Sequence, residues 1–177
     1  MSSGNRSVMG VSMKSAIVMG LDISNGIEQF LADYGHLPLP IGSTPASRDL
    51  DTDSGPSRGL IALLAGKEAA GASIKPQNFR GIDYLEGVKP AKAFKKSGHL
   101  WADGLVIDRT PPAYSIVDAW GNLYHLRLDT DGDGWVENPD SNQAAEGRPK
   151  LKKRVIVWSP GKDGLEETWE DNPKSWD

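Results

Sequence analysis

The sequence predicts an α+β domain, and two observations carry that expectation. From Ser12 onward, Ala16, Gly20, Ile23, Ile27, Phe30 and Tyr34 recur at spacings of three and four, the apolar stripe of an amphipathic helix. Much later, residues 123–128 place Tyr124, Leu126 and Leu128 on one face and His125 and Arg127 on the other. Val155–Trp158 (VIVW) is a second compact β run, with Val155 and Val157 pointing one way and Ile156 and Trp158 the other. The two runs are expected to pair antiparallel.

Taken in order, residues 1–11 are Ser/Gly-rich and read as a flexible leader of the kind expression vectors append. Residues 12–177 then form one domain. Along the first helix, Lys14, Asp22, Asn25, Gln29 and Asp33 lie largely off the stripe. Gly35, with Pro38 and Pro40 beyond it, is a stop signal. Met13, Val18 and Met19 widen the apolar surface near its start, which suits either a broad core face or contact with neighbouring subunits. Residues 41–56 are read as an irregular polar connection, and the alternating Asp49, Asp51 and Asp53 within it as a solvated loop. Residues 57–65 read as a short helix capped by Ser57, burying Leu60, Ile61, Leu63 and Leu64, and closed by Gly66. Residues 75–81 form a loop, and the basic segment 89–96 a helical turn. Residues 104–108 and 114–117 are expected as short strands. Trp169 and Trp176 are read as packing anchors that pin the tail to the sheet.

Composition excludes several function classes. The chain of 177 residues has net charge -4, which gives no general pull toward nucleic acid or anionic lipid. Its five cationic residues at 148–154 (RPKLKKR) are read as a solvated edge before a strand. Cysteine is absent, which removes disulfides, thiolate metal sites and thiol nucleophiles. No apolar run approaches the roughly 20 residues of a membrane span. His36, His99 and His125 are scattered without ligand spacing, no serine sits in a nucleophile elbow, and no glycine-rich loop links a strand to a helix. The expectation is a protein that is not an enzyme.

Metal ligation explains the carboxylates better. Asp129, Asp131 and Asp133 alternate and end in Gly134, the front half of a calcium loop: hard oxygens at every second residue and a glycine at the sharp turn. Trp135 supplies a carbonyl at the seventh position, Glu137 a direct or water-mediated ligand at the ninth, and Asp140 the twelfth, where a glutamate is usual. Five carboxylates between Asp129 and Asp140 without a basic residue repel one another and are most easily held around a cation. In the tail, Asp163 and Asp171 flank a loop that folds both carboxylates toward one ion. Ca²⁺ is the expected occupant.

The order of the parts also carries a resemblance. The helix runs into Asp33-Tyr34-Gly35-His36-Leu37-Pro38, a D-x-G-x-x-P turn. Asp118-Ala119-Trp120-Gly121-Asn122-Leu123-Tyr124 matches a DPWG-N-x-Y motif with alanine in place of proline. Ser159, Gly161, Asp163, Gly164, Asp171 and Trp176 match an S-x-G-x-DG ending followed by an acidic residue and a tryptophan. Three motifs in this order make the chain similar to the major pseudopilin of bacterial type II secretion, within the type IV pilin-like group. The resemblance implies a pilin-like fold, in which a long N-terminal helix packs on a small antiparallel sheet with a calcium-stabilised C-terminal loop region. It implies a non-catalytic subunit that polymerises with other pseudopilin subunits and works with the secretion machinery. The location implied is periplasmic or extracytoplasmic, with anchoring to the inner membrane through a hydrophobic half-helix that is missing from this sequence. It also implies a structural calcium whose side-chain ligands are Asp163 and Asp171, with a nearby carbonyl such as that of Ser159.

The alternative is a secreted calcium-dependent binding module for carbohydrate or protein, with tryptophans such as Trp135 as its platform.

Overall fold

The apolar stripe builds helix α1 (Ser3–Tyr34), in a computed structural model that describes residues 3–67, 76–96, 98–109 and 112–177. The helical backbone begins at Ser3, ahead of the start expected at Ser12. Residues 1–2 of the expected flexible leader lie outside the described residues. Ala16, Met19, Ile23, Ile27 and Phe30 are buried, while Val18 and Leu21 on the far side stay exposed. At the C-terminal end Gly35 turns left-handed (φ 75°) and donates its N–H to the Leu31 carbonyl at 2.8 Å, which closes the last turn.

The remaining elements are short. They are β1 (Leu50–Asp53), a 3₁₀ turn (Pro56–Arg58), α2 (Leu60–Leu64), β2 (Lys92–Lys96), β3 (His99–Ala102), β4 (Gly104–Arg109) and β5 (Pro112–Val117). They continue with β6 (His125–Leu128), β7 (Val136–Glu137), α3 (Ser141–Ala145), β8 (Lys150–Leu151) and β9 (Val155–Trp158). The central sheet is antiparallel in the order β1-β6-β9, and the two-stranded pairs β2–β3, β4–β5 and β7–β8 surround it. The architecture is therefore mixed α+β, one long helix with small antiparallel sheets.

Register decides what each face of the central sheet does. Thr52, Leu126 and Val157 align across the three strands, as do Leu50, Leu128 and Val155. Leu126, Leu128, Val155 and Val157 join Tyr124 in a core with Ile23, Ile27 and Phe30 of α1 and Leu60, Ile61, Leu63 and Leu64 around α2. Each fully buried aliphatic side chain there contributes about 1.5–3 kcal/mol of transfer free energy. On the opposite face, Ile156 and Trp158 pack with Val136, Leu151, Trp169 and Trp176. The three tryptophan rings lie with centroids 6.2 to 6.4 Å apart, tilted or edge-on. The tail also covers the edge of β9: Ser175 donates to the Val157 carbonyl at 3.0 Å and Ser159 to the Pro173 carbonyl at 3.1 Å.

Several expectations are corrected. Residues 50–53, read as part of a solvated loop, form the edge strand β1, because Leu50 and Thr52 sit over the core while Asp51 and Asp53 face outward. Ser57 does not cap a helix. It lies in the 3₁₀ turn, and Gly59 (φ 66°) separates that turn from α2. The basic segment 89–96 carries strand β2, paired with β3, and no helical turn. Of the loop expected at 75–81, Lys75 lies outside the described residues.

Candidate metal centre

Two acidic loops hold the predicted ligands, and they are built differently. In the first, the chain leaves β6 and winds around Asp129, which is 3% exposed. Its Oδ1 accepts from the Gly132 amide at 2.8 Å and its Oδ2 from the Gly134 amide at 3.0 Å. Asp131 accepts from the Asp133 amide at 3.2 Å, and Asp133 from the Trp135 amide at 2.7 Å. These successive Asx turns follow from aspartate's short reach to the backbone two residues on. Gly134, at φ 83°, takes the left-handed conformation that the spacing predicted for the sharp turn.

Among the described residues, one group of three ligand-type side chains converges: Asp49, Asp129 and Asp131 each offer an oxygen within 4.8 Å of the others. Asp49 enters from the start of β1, where its Oδ2 accepts the Glu137 amide at 2.8 Å. Burial raises the Asp49 pKa; the Glu137 amide and the Arg127 guanidinium oppose that, while Asp131 and Asp129 add to it. Arg127 holds this corner together. It pairs with both Asp51 oxygens, at 2.5 and 3.0 Å, and donates to the Glu137 carbonyl at 2.8 Å. Asp133 and Glu137 line the same surface cleft of about 510 Å³ as Asp49 and Asp131, and Lys150 approaches Asp133 at 3.4 Å. Trp135 is 42% exposed. Three hard carboxylate oxygens without a soft ligand suit Ca²⁺ or Mg²⁺.

Asp140 plays another part. It is 1% exposed, caps α3 by accepting the Asn142 and Gln143 amides, and pairs with Lys174 at 2.8 Å. The twelfth position expected of it is filled by a helix cap and an ion pair, because the chain turns into α3 instead of returning to the loop.

In the tail, it is the Asp163 backbone amide that meets Asp171, donating to its Oδ2 at 3.3 Å. Asp163 Oδ2 accepts the Thr168 hydroxyl at 2.6 Å and its Oδ1 the Leu165 amide at 2.9 Å, and these bonds hold its carboxyl below the usual range. Ser159, fully buried, donates its hydroxyl to Asp118 Oδ2 and accepts the Gly161 amide at 3.1 Å. The residue missed from sequence is Asn172. It is 4% exposed, its Nδ2 donates to the Glu166 carbonyl at 2.9 Å, and its Oδ1 is a buried acceptor with no donor. Gly161 (φ 69°) lies against it: an added Cβ would collide with the Asp171 carbonyl oxygen and sit 3.2 Å from Asn172 Oδ1. Two carboxylates, a main-chain carbonyl and an orphaned carboxamide oxygen in one loop are a donor set that fits a hard cation. An asparagine between Asp171 and Pro173 gives no alternation to read, so only its buried, unpaired oxygen marks it.

The two sequence motifs meet here. Asp118 is 1% exposed, and burial raises its pKa against the hydrogen bonds from Ser159, Asn122 and Trp120. In comparisons with known proteins, no family model, no curated protein and no solved structure matches this chain.

Proposed function

We propose that this chain is a structural, non-catalytic subunit of a type II secretion pseudopilus, with a pilin-like fold stiffened by Ca²⁺. The observation that carries the reading is the docking of two of the three resembling motifs on one buried carboxylate. Asp118 of the DAWGN turn receives Ser159 of the SPGKDG tail, and Asn122 donates to the Gly161 carbonyl at 2.7 Å. Sequence order alone does not require segments 41 residues apart to interlock.

Further support comes from α1, a 32-residue helix that buries one stripe on β9 and leaves Val18 and Leu21 exposed at 55% and 39%. That second face is available to neighbouring subunits. Among the described residues no helix is long and apolar enough to cross a membrane. On the pseudopilin reading, attachment to the inner membrane is through the hydrophobic half-helix of that family. The working location is extracytoplasmic, where millimolar calcium fills a site with Kd of roughly 10⁻⁴–10⁻³ M.

Single cysteines test the reading directly, because these 177 residues contain none. The protein with Val18→Cys or Leu21→Cys is produced in its own host and oxidised in the cell. A disulfide-linked dimer, the largest product that one cysteine per chain allows, with loss of protein export on gene deletion, is the expected result. Normal export in the deletion strain, with monomer alone after oxidation, would discard the pseudopilin reading and favour the binding module.

A further inference from the structure

We propose that Asn122 is a positioning residue for the cation of the tail loop, acting without touching it; this rests on the tail-site part of the proposed function. The Asn122 carboxamide nitrogen donates twice, to Asp118 Oδ2 at 3.2 Å and to the Gly161 carbonyl at 2.7 Å. Its own backbone amide donates to Asp118 Oδ1 at 2.8 Å. Asp118 is therefore an anchored acceptor, and Asn122 a clamp from that anchor to the first turn of the loop.

Beyond Gly161 the connection continues by direct contact. Gly161 lies against the Asp171 carbonyl and the orphaned Asn172 Oδ1, and the Asp163 amide reaches Asp171 Oδ2. The oxygens that suit a cation thus stand on a piece of chain whose start is held by Asp118 at Ser159 and by Asn122 at Gly161. Within the loop Asp163 accepts from Leu165 and Thr168 and Asn172 donates to the Glu166 carbonyl, while farther along Glu166 lies 3.3 Å from His125 and the Ser159 amide donates to the Pro173 carbonyl at 3.1 Å. These contacts and the tryptophan cluster seat the far part of the loop, and Asn122 with the neighbouring Ser159–Asp118 bond seats its first turn. Releasing the Gly161 carbonyl lets the first turn of the loop swing, and a swinging turn pays the ordering cost of the oxygens it carries when the ion binds.

The test is calcium affinity by isothermal titration in an Asp131→Ala background, so that the tail loop alone titrates, with Asn122→Ala as the probe. Asn122→Ala is expected to weaken calcium about tenfold while the metal-free protein stays folded at the titration temperature. Val155→Ala, in the core on the other side of the sheet, lowers metal-free Tm and leaves calcium affinity unchanged. That control separates positioning from general destabilisation. If the Asp131→Ala protein binds calcium, loses it in Asp163→Ala, and keeps full affinity in Asn122→Ala, the positioning role is overturned and the tail site stands. If Asp131→Ala protein binds no calcium, or Asp163→Ala leaves binding intact, the tail site itself falls and this inference with it.

Discussion

The two acidic loops sit on the same sheet, yet one is shaped from within and the other from outside. The 129–135 loop is wound by its own aspartates, each carboxylate taking an amide two to five residues ahead. From elsewhere come Asp49, delivered by β1, and the Arg154 and Arg48 carbonyls, which accept the Asp129 amide at 2.9 Å and the Thr130 hydroxyl at 2.8 Å. The tail loop is set on the sheet by distant groups: Asp118, Asn122 and the tryptophan cluster behind it. Local winding needs only aspartate–glycine spacing. Long-range seating needs the rest of the fold to be in place first. Perturbing the scaffold should therefore disturb the tail loop far more than the 129–135 loop.

The largest effect is expected at the tryptophan cluster. Trp176 is 7% exposed and packs edge-on to Trp158. Trp176→Ala should cost about 3–5 kcal/mol, measured by urea unfolding, with early loss of protection in 159–175 by hydrogen exchange. If amides of 129–135 lose protection equally early, the contrast between the loops fails. Next comes Asp118→Ala, which strands the Ser159 hydroxyl and the amides of Trp120 and Asn122. A loss of about 3 kcal/mol is expected from buried donors left unpaired, with calcium affinity reduced at the tail and preserved at 129–135.

The smallest effect carries a sign. Asp49→Asn removes one of three crowded carboxylates. In EDTA it should be neutral or stabilising by a few tenths of a kcal/mol, because like charges within this corner repel. With calcium present it should be destabilising relative to wild type, since a ligand charge has gone. Thermal melts with and without calcium check the reversal, and a variant that is weaker under both conditions would show that Asp49 serves only β1.

Much of the fold was legible because its periodicities are local. The α1 stripe, the alternation of Tyr124, Leu126 and Leu128, the split of Val155 and Val157 from Ile156 and Trp158, and the tail tryptophans all land where residue patterns place them. What escaped is non-local. LDTD has one strongly apolar residue, so β1 exists only because β6 offers it a register more than 70 residues away. Asp49 reaches the cluster by that same pairing. Asp140 looked like a twelfth ligand until α3 claimed it as a cap. Ser57 lost its capping role to a turn that ends at Gly59, and KAFKK became β2 because HLWA lies alongside it. Asn172 carries no spacing signal at all.

Calcium titration of verified metal-free protein, followed by thermal unfolding of wild type, Asp163→Ala and Asp131→Ala, tests the central claim most directly. At about 100 times Kd a bound ion adds about 2.7 kcal/mol, which for a domain of this size raises Tm by about 5–10 °C. The account predicts that rise in wild type and its loss, in large part, in Asp163→Ala. A melting temperature that ignores calcium in the wild-type protein would contradict it.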